Sequence, residues 1–429
     1  MPARVKKYCA VSDEQSDSFV GMRFEDGKPR VVFPRGHSIA DDDKECRRDV
    51  INLLSVLKRF SDKRDGDTVG KGVSSPVDFP LSSYLYLVQD FLRNGYYVER
   101  ELKFVRADRG KISWKRTIQQ ERPILSNGSP VYLNFRTMRQ RVNDTALITQ
   151  IHRYCVYLGF QLLGWLYLSP DYLPPKPTIA YNRRLFVSTL QNALNNTFND
   201  SKRELFKCML NIVQESPDTS NLRNFSVGVD KFEHVWERLV DHVFGIGSEE
   251  RQKFYPKAKW HILNSETAAD STTIPLRPDT IMLHGRNVYI LDAKYYIFGI
   301  SQKVQDLPGA SDIQKQITYG RYVHETLPEL DTQFIHDLVF NSFVLPCRLG
   351  GDAFTISTMA VGTADWERYG PKAPDYLYVL AIGMDTKWLI TNYAQHSDSV
   401  ISELADMIES AVRDYKAREN VQPAPVFTV

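Results

Sequence analysis

The residues best suited to chemistry lie in one stretch, IPLRPDTIMLHGRNVYILDAKYY, which covers residues 274–296. Asp279 leads into an apolar run, a polar turn follows, and a second apolar run ends in Asp292-Ala293-Lys294. Residues two apart in a β-strand share a face, so Asp292 and Lys294 are expected to point the same way. Burying two acids and a lysine where apolar strands end is costly unless the groups pair or serve a purpose.

This combination is suited to the hydrolysis of a phosphodiester. Carboxylates bind Mg²⁺ in proteins, and the cation neutralises charge on the phosphate and lowers the pKa of an attacking water. A lysine beside them can orient the water and stabilise the developing negative charge. We therefore hypothesise that Asp279 and Asp292 are metal ligands and that Lys294 is catalytic. The alternative is a purely structural ion pair, because Asp-x-Lys after an apolar run is common by chance.

A helix predicted upstream offers a third acid. Within residues 231–245 the apolar side chains recur at helical spacing and form a core-facing stripe. Glu233 and Glu237 lie four residues apart on one flank of that stripe, so they are neighbours on the helix surface. Either could reach the metal, and the other would then be a solvated surface residue.

A helix predicted downstream offers two further polar residues. The sequence SDIQ at residues 311–314 has the form of a capping box, which predicts that a helix starts there. Gln316 and Tyr319 are three residues apart and share one face of this helix. They either contact the site and its phosphate or are ordinary surface and core residues.

The elements that must position these residues divide the chain of 429 residues into four zones. Residues 1–45 are predicted to form a polar, irregular arm, and residues 46–172 are predicted to form an N-terminal α+β domain. Residues 173–228 open with three prolines within four positions, which stiffen a helical connector. Residues 229–429 are predicted to form an α/β domain that contains Asp279, Asp292 and Lys294.

Periodicity and turn residues predict individual elements within these zones. Helices are predicted at 50–60, 81–93 and 398–415, and strands at 96–105, 131–135, 354–361 and 376–382. The runs 280–283 and 288–293 predict a β-hairpin whose two strands are central and covered on both faces, because neither alternates cleanly. Residues 154–169 are apolar but shorter than the roughly 20 that span a membrane, so a buried core helix is expected.

The net charge and the N-terminal sequence bear on whether the protein binds nucleic acid and where in the cell it is expected. The net charge is only +2, so a nucleic-acid surface must come from local clustering. Residues 93–141 supply such a cluster, with twelve Lys and Arg against four Asp and Glu and interleaved aromatic residues. The N-terminus lacks the apolar core of a signal peptide, which favours the cytoplasm.

Several separated motifs, taken in order, resemble the LlaJI-type restriction endonuclease subunits, which are relatives of McrC in the PD-(D/E)xK nuclease superfamily. The resemblance extends from about residue 45 to about residue 415. The motifs are DFPLSSYLYLVQDFLRNGYYVERE at 78–101, GKISWKRTI at 110–118, ITQIHRYCVYLGFQLLGWLY at 148–167, Trp236-Glu237, Arg277-Pro278-Asp279, residues 291–296, and Gln316 with Tyr319.

The resemblance implies a fold and a set of site residues. The C-terminal domain is expected to have a PD-(D/E)xK restriction-endonuclease-like core, a central mixed sheet flanked by helices, beside the N-terminal α+β domain. The implied catalytic residues are Asp279, Asp292, Lys294, Glu237 and Gln316. Asp279, Asp292 and Glu237 are expected to hold Mg²⁺, with Mn²⁺ able to substitute and with Glu233 as the fallback for Glu237.

The resemblance also implies a division of labour. The chain is expected to be the endonuclease subunit of a McrBC/LlaJI-like system that cuts foreign double-stranded DNA in the prokaryotic cytoplasm, acting with a separate AAA+ GTPase subunit. It should bind no nucleotide itself, because its nearest candidate loop, residues 66–72, lacks the first glycine and the hydroxyl residue of a phosphate-binding loop. The residues expected to contact the partner or DNA are Arg109, Lys111, Trp114, Lys115, Arg116 and Tyr319.

The sequence leaves alternatives open for the basic stretch and for the chain as a whole. The basic stretch at 93–141 is either a DNA backbone track, a contact surface for the GTPase subunit, or merely solvated surface. The chain as a whole could also be a stand-alone type II restriction enzyme. It could finally be an inactive assembly subunit that stimulates the GTPase.

Overall fold

The computed structural model describes residues 5–12, 18–25, 28–61, 80–168, 172–215, 226–260, 271–272, 275–350 and 353–419. The candidate nucleotide loop at 66–72 lies outside the described residues. The chain forms two compact units. Unit 1 consists of Met1–Pro76 and Leu222–Val429, and unit 2 consists of Val77–Asn221.

The strands and helices have the following bounds in chain order. The strands are β1 (Cys9–Val11), β2 (Val20–Glu25), β3 (Lys28–Phe33), β4 (Glu99–Arg106), β5 (Lys111–Ile112), β6 (Ile124–Ser126), β7 (Ser129–Val131), β8 (Arg136–Asn143), β9 (Ser226–Val229), β10 (Lys259–Trp260), β11 (Ser271–Thr272), β12 (Thr280–His284), β13 (Asn287–Ala293), β14 (Val339–Cys347), β15 (Ile356–Gly362) and β16 (Val379–Asp385). The helices are α1 (Asp43–Ser61), α2 (Leu81–Asn94), α3 (Trp114–Gln120), α4 (Leu147–Tyr167), α5 (Arg183–Asn195), α6 (Asp200–Glu215), α7 (Glu233–Phe244), α8 (Ser248–Arg251), α9 (Phe298–Ser301), α10 (Ala310–Arg321), α11 (Leu327–Leu330), α12 (Thr386–Asn392) and α13 (Asp398–Glu419). A π-helical turn, Tyr322–Thr326, joins α10 to α11, and short 3₁₀ turns lie at Lys6–Tyr8, Gln252–Phe254, Val304–Asp306 and Asp375–Leu377.

The core of unit 1 is a five-stranded mixed sheet in the order β12-β13-β14-β16-β15. Strands β13, β14 and β16 run parallel, and the two edge strands run antiparallel to their neighbours. β14 and β16 are buried along their whole length because α7, α10, α12 and α13 pack against the sheet. The prediction of a mixed α/β fold is therefore confirmed, but β12 lies at an edge rather than in the centre.

The predicted hairpin forms with Gly285 and Arg286 in its turn. Gly285 has φ +59°, a conformation that favours glycine. The register pairs Thr280 with Leu291, so Asp279 enters β12 directly opposite Asp292. This alignment decides the geometry of the acidic cluster described below.

The N-terminal residues are more ordered than an irregular arm. Strands β1, β2 and β3 are part of a four-stranded sheet in the order β1-β3-β2-β9. Met22 on β2 and Val31 on β3 are fully buried. The strand β9, about 200 residues later in the chain, completes this sheet. The helix α1 packs on α7 and α12, so it belongs to unit 1 and not to the N-terminal domain of the predicted boundaries.

Unit 2 contains a three-stranded sheet, β4-β8-β5, a small hairpin, β6-β7, and the helices α2 to α6. The apolar run at 154–169 forms most of α4, which is buried as predicted. Among the described residues, no helix is both long and apolar enough to cross a membrane. The strand predicted at 131–135 is wrong, because β7 ends at Val131 and β8 begins at Arg136.

We predict that Gly21→Ala destabilises unit 1, because the N-terminal strands are integral to it. Gly21 has φ +147°, and a Cβ atom there would lie only 2.2 Å from the Val227 carbonyl oxygen on β9. The substitution should lower the free energy of unfolding by about 2 kcal/mol or more. The measurement is urea denaturation of the full chain.

The control is Gly247→Ala, where a Cβ atom meets no atom within 4 Å. This variant should stay within about 1 kcal/mol of the wild type. Equal stability of both variants would show that the β2–β9 pairing contributes little.

Candidate active site

Asp279 and Asp292 meet at the carboxyl end of β13. The Oδ2 atom of Asp279 accepts a hydrogen bond of 3.0 Å from the backbone N–H of Ala293. Asp292 is the last but one residue of β13 and is buried, with a relative exposure of 2%. The strand register thus places both carboxyl groups at one point of the sheet.

Lys294 follows β13 and points its ammonium group back at this cluster. Its Nζ atom lies 2.7 Å from Oδ2 of Asp292 and 3.5 Å from Oδ1 of Asp312. Burial lowers the pKa of Lys294, but the charge and hydrogen bond of Asp292 raise it, and its net pKa lies above the ordinary value. The lysine therefore stays protonated at neutral pH.

Asp312 is a site residue that sequence reasoning missed as such. The sequence predicts it only as part of a capping box starting at Ser311, whereas α10 begins at Ala310. The N–H of Gly309 donates to Oδ2 of Asp312 at 3.3 Å, while the other carboxyl oxygen faces Lys294. Its position at the helix start was the available signal, because a capping acid has a fixed direction.

Glu237 is brought to the cluster by a buried tryptophan. The indole N–H of Trp236 on α7 donates to the Val344 carbonyl oxygen at 3.1 Å, and the backbone N–H of Lys294 donates to the same oxygen at 3.0 Å. The helix α7 is thereby fixed beside the residue after β13. Burial raises the pKa of Glu237, the nearby His234 lowers it, and the charges of Asp292 and Glu233 raise it, so that the net shift is upward.

Glu233 is the more exposed of the two helix acids. Its side chain is 51% exposed, against 40% for Glu237. The charge of Glu237, by contrast, is close enough to raise the pKa of Asp279. Of the two alternatives left open by the sequence, the geometry favours Glu237 as the helix acid.

The charges of three carboxylates influence one another at this site. Burial raises the pKa of Asp279 well above its ordinary value, and the charges of Asp292 and then of Glu237 raise it further. Lys294 opposes this shift but does not cancel it. The cluster carries an excess of negative charge that one ammonium group leaves only partly neutralised.

Gln316 and Tyr319 on α10 are both buried. The Tyr319 hydroxyl donates to the Arg277 carbonyl oxygen at 3.1 Å, which fixes the segment leading into Asp279. Burial, followed by the charges of Asp292 and Asp279, raises the pKa of Tyr319. Tyr319 is fully buried in this structure, and its contact with a partner or DNA stays a prediction.

Gln316 is 1% exposed, and its side-chain amide finds no hydrogen-bond partner among the described residues. Its backbone carbonyl accepts a hydrogen bond of 2.9 Å from the side chain of Asn341 on β14. An amide buried without a partner is costly, and such groups are typical of functional sites. Gln316 therefore remains a candidate for the site.

The other predicted contact residues belong to unit 2. Arg109 and Lys111 are exposed, and Trp114, Lys115 and Arg116 form the first turn of α3. Trp114 is 54% exposed and packs edge-on against Phe135, while the Arg116 guanidinium lies 4.0 Å from the ring centre of Phe104. These residues form part of an exposed surface on unit 2.

The donor set of the cluster fits a hard divalent cation. Asp292 Oδ1 is buried and has no hydrogen-bond partner among the described residues, and the neighbouring acids raise the pKa of Asp279, an effect that a cation would reverse. All available donors are carboxylate oxygens, which Mg²⁺ prefers. In the part of the chain described, however, no three His, Cys, Asp or Glu side chains already converge closely enough to hold a metal ion.

The fold and the cluster together define an α/β protein whose mixed sheet carries acids and a lysine at the carboxyl end of a parallel strand. The chain belongs to the LlaJI restriction endonuclease family, whose model matches residues 19–361. The resemblance seen in the separated motifs is thereby confirmed.

Similarity extends to individual proteins as well. The type II restriction enzyme BsuMI component YdjA of Bacillus subtilis (strain 168) is 26% identical over 355 residues, which are 79% of this chain and 73% of that protein. A half-complex from the tetradecameric assembly of Thermococcus gammatolerans McrB AAA+ hexamers with bound McrC matches with 14% identity and a TM-score of 0.34, over 91% of this chain and 83% of that one.

We predict that Asp279→Asn stabilises the protein in a buffer free of divalent cations. The substitution removes one of three crowded charges and keeps an acceptor for the Ala293 N–H, so the free energy of unfolding should rise by about 1 kcal/mol. Because the pKa of Asp279 is raised, ionisation destabilises the fold only above the ordinary pKa. The gain should therefore be small near about pH 4 and larger at about pH 8.

Thermal unfolding of both proteins in EDTA across this pH range measures the effect. The control is Glu233→Gln, which removes an exposed charge from the same region and should change stability little. A loss of stability in Asp279→Asn at high pH would show that the carboxylates do not repel one another.

Proposed function

We propose that this chain is a Mg²⁺-dependent endodeoxyribonuclease subunit with a PD-(D/E)xK active site. The observation that carries the proposal is the meeting of Asp279, Asp292 and Lys294 at the carboxyl end of β13, with Nζ of Lys294 2.7 Å from Asp292. Glu237 completes the acidic set from α7. Membership of a restriction endonuclease family supports double-stranded DNA as the substrate.

Asp279, Asp292 and Glu237 would hold the cation, with small side-chain movements that bring their oxygens together. When bound, Mg²⁺ neutralises charge on the phosphate and lowers the pKa of a water molecule. Mn²⁺ can take the same oxygen ligands and should support activity too. The acids then lose their mutual repulsion, which is the physical reason for cation dependence.

The chain's own residues supply positioning and charge. Lys294 remains protonated and donates hydrogen bonds towards the negative charge that develops on the phosphate oxygens. Asp292 and Asp312 hold the ammonium group from two sides. Tyr319 fixes the backbone before Asp279, and the unpaired amide of Gln316 is available to a water molecule or a phosphate oxygen.

Unit 2 is proposed to be the surface for a separate AAA+ GTPase. Its helix α3, its hairpin β6-β7 and the segment after the hairpin expose several large apolar side chains, namely Trp114, Ile118, Ile124, Leu125, Val131 and Leu133. These side chains lie within the basic 93–141 stretch of the sequence. Exposed apolar side chains grouped in this way favour a protein partner over a DNA backbone, which would need charge alone. The name of the Bacillus relative, a component of a restriction enzyme, supports an enzyme of more than one subunit.

We predict that Asp292→Asn and Lys294→Ala each abolish Mg²⁺-dependent DNA cleavage, with a loss of roughly 100-fold or more. The assay uses supercoiled plasmid, the purified chain and its proposed AAA+ GTPase subunit, with and without GTP. The control is Lys315→Ala, which removes an exposed lysine from α10 and should cut like the wild type. Cleavage by Asp292→Asn at the wild-type rate would place the active site elsewhere.

We also predict that cleavage depends on the partner through unit 2. Leu125→Ser, on the exposed β6-β7 hairpin, should weaken binding of the GTPase at least about tenfold, since the patch would lose an apolar contact. Its thermal stability should not change, because Leu125 is 75% exposed. Cleavage by the isolated chain at the full rate would instead identify a stand-alone enzyme.

A further inference from the structure

Arg35, in the turn between β3 and α1, contacts Tyr295, the residue that follows the catalytic lysine. The backbone N–H of Arg35 donates to the hydroxyl of Tyr295 at 2.7 Å. The Arg35 guanidinium donates through Nη1 to the Tyr295 carbonyl oxygen at 3.2 Å, and its Cζ lies 5.3 Å from the ring centre of the same tyrosine. Three separate contacts from one arginine therefore converge on Tyr295, 260 residues later in the chain.

This turn is itself held rigidly against the ends of the parallel strands. Thr386, the first residue of α12, donates through Oγ1 to the Arg35 carbonyl oxygen at 2.8 Å. Gly36 has φ +74°, and a Cβ atom there would lie 2.8 Å from Oγ1 of Thr386 and 2.9 Å from the Cys347 backbone nitrogen. His37 is buried and stacks on Phe33 with ring centres 4.1 Å apart. The turn therefore fits closely against β14 and α12.

Lys294 needs such support because the chain leaves the sheet at this residue. Its N–H still bonds to Val344 on β14, but the N–H of Tyr296 turns back to the Lys294 carbonyl oxygen at 2.8 Å. The Lys294 ammonium group has two acidic neighbours, Asp292 and Asp312. The direction of the Lys294 backbone therefore decides how close the ammonium group lies to each of the two acids.

We propose that Arg35 is a positioning residue for Lys294, acting through Tyr295. This inference rests on the proposed function. Arg35 holds the backbone on one side of Lys294, while β14 holds it on the other. Loss of the guanidinium removes the hydrogen bond to the Tyr295 carbonyl oxygen and the contact with its ring, while the ring still packs on Phe232 and Trp236. The peptide after Lys294 then loses one of its restraints, and the lysine shifts from Asp292 towards Asp312. A misplacement of about 1 Å at a catalytic group can cost roughly 100-fold in rate.

The competing explanation is that Arg35 only ties the N-terminal strands to the sheet. The two explanations differ in what they change. A structural tie affects stability alone, whereas a positioning residue changes the turnover of folded protein and the environment of the Lys294 amine.

The experiment compares Arg35→Ala and Arg35→Lys with a matched control, Arg59→Ala. Arg59 also lies over a tyrosine, with Cζ 5.4 Å from the ring centre of Tyr393, but at the end of α1. Each full-length chain is assayed with its GTPase partner, Mg²⁺ and plasmid below its melting temperature. Arg35→Ala should lower kcat at least about tenfold with KM for DNA nearly unchanged, and Arg35→Lys should recover part of the loss because it restores one donor.

A second readout does not depend on activity. Lysines are dimethylated with ¹³C-formaldehyde, and the Lys294 signal is assigned by its loss in Lys294→Arg. In Arg35→Ala this signal should shift, because the distance from its amine to Asp292 changes, whereas in Arg59→Ala it should stay in place. The double variant Arg35→Ala/Lys294→Ala should lose no more activity than Lys294→Ala alone.

A wild-type kcat and an unmoved Lys294 signal in folded Arg35→Ala would overturn the inference and leave a structural tie. If Arg35→Ala does not fold, Arg35→Lys decides by the same two measurements. Failure of the proposed function looks different, since Lys294→Ala would then cut like the wild type. The NMR signal would still report whether Arg35 orients the lysine.

Discussion

The pairing of Lys294 with Asp292 inside an acidic cluster is the interaction on which the rest of the site depends. Removing two charges from water is unfavourable unless their geometry is good and their remaining hydrogen-bonding positions are satisfied. Here the pair is 2.7 Å long, yet the charge of Asp292 also helps to raise the pKa of Asp279. The fold must therefore hold like charges together, and it does so with backbone hydrogen bonds that do not depend on those charges.

Those backbone bonds come from strands that need no polar side chains to form. One carbonyl oxygen, that of Val344 on β14, binds both the N–H of Lys294 and the indole of Trp236. This single acceptor fixes the distance between the lysine and the helix that carries Glu237. Because β14 is buried along its whole length, the acceptor has no access to water that could replace either donor.

The elements that the sequence predicts well are those whose signals are local. The hairpin that places Asp279 opposite Asp292 follows from two apolar runs and a glycine turn, and α13 follows from its apolar spacing. The four-stranded sheet of unit 1 was not predictable in this way, because β2 pairs with β9, which follows the whole of unit 2 in the sequence. Arg35 was missed as a site residue for the same reason, since long-range packing alone brings it to Tyr295.

The site is consequently discontinuous in sequence although its best motif is short. Asp279 and Lys294 are fifteen residues apart, but Arg35 and Thr386, which steady the segment after the lysine, are separated by 351 residues. Closing so long a loop costs entropy that only many simultaneous contacts can offset. The acids meet within a local hairpin, whereas the segment after the lysine is steadied only where the N-terminal strands and α12 are both docked on the sheet. A correctly aligned lysine therefore reports that unit 1 has folded as a whole. An Asp-x-Lys motif by itself carries no such information, which is why the sequence alone leaves a structural ion pair open.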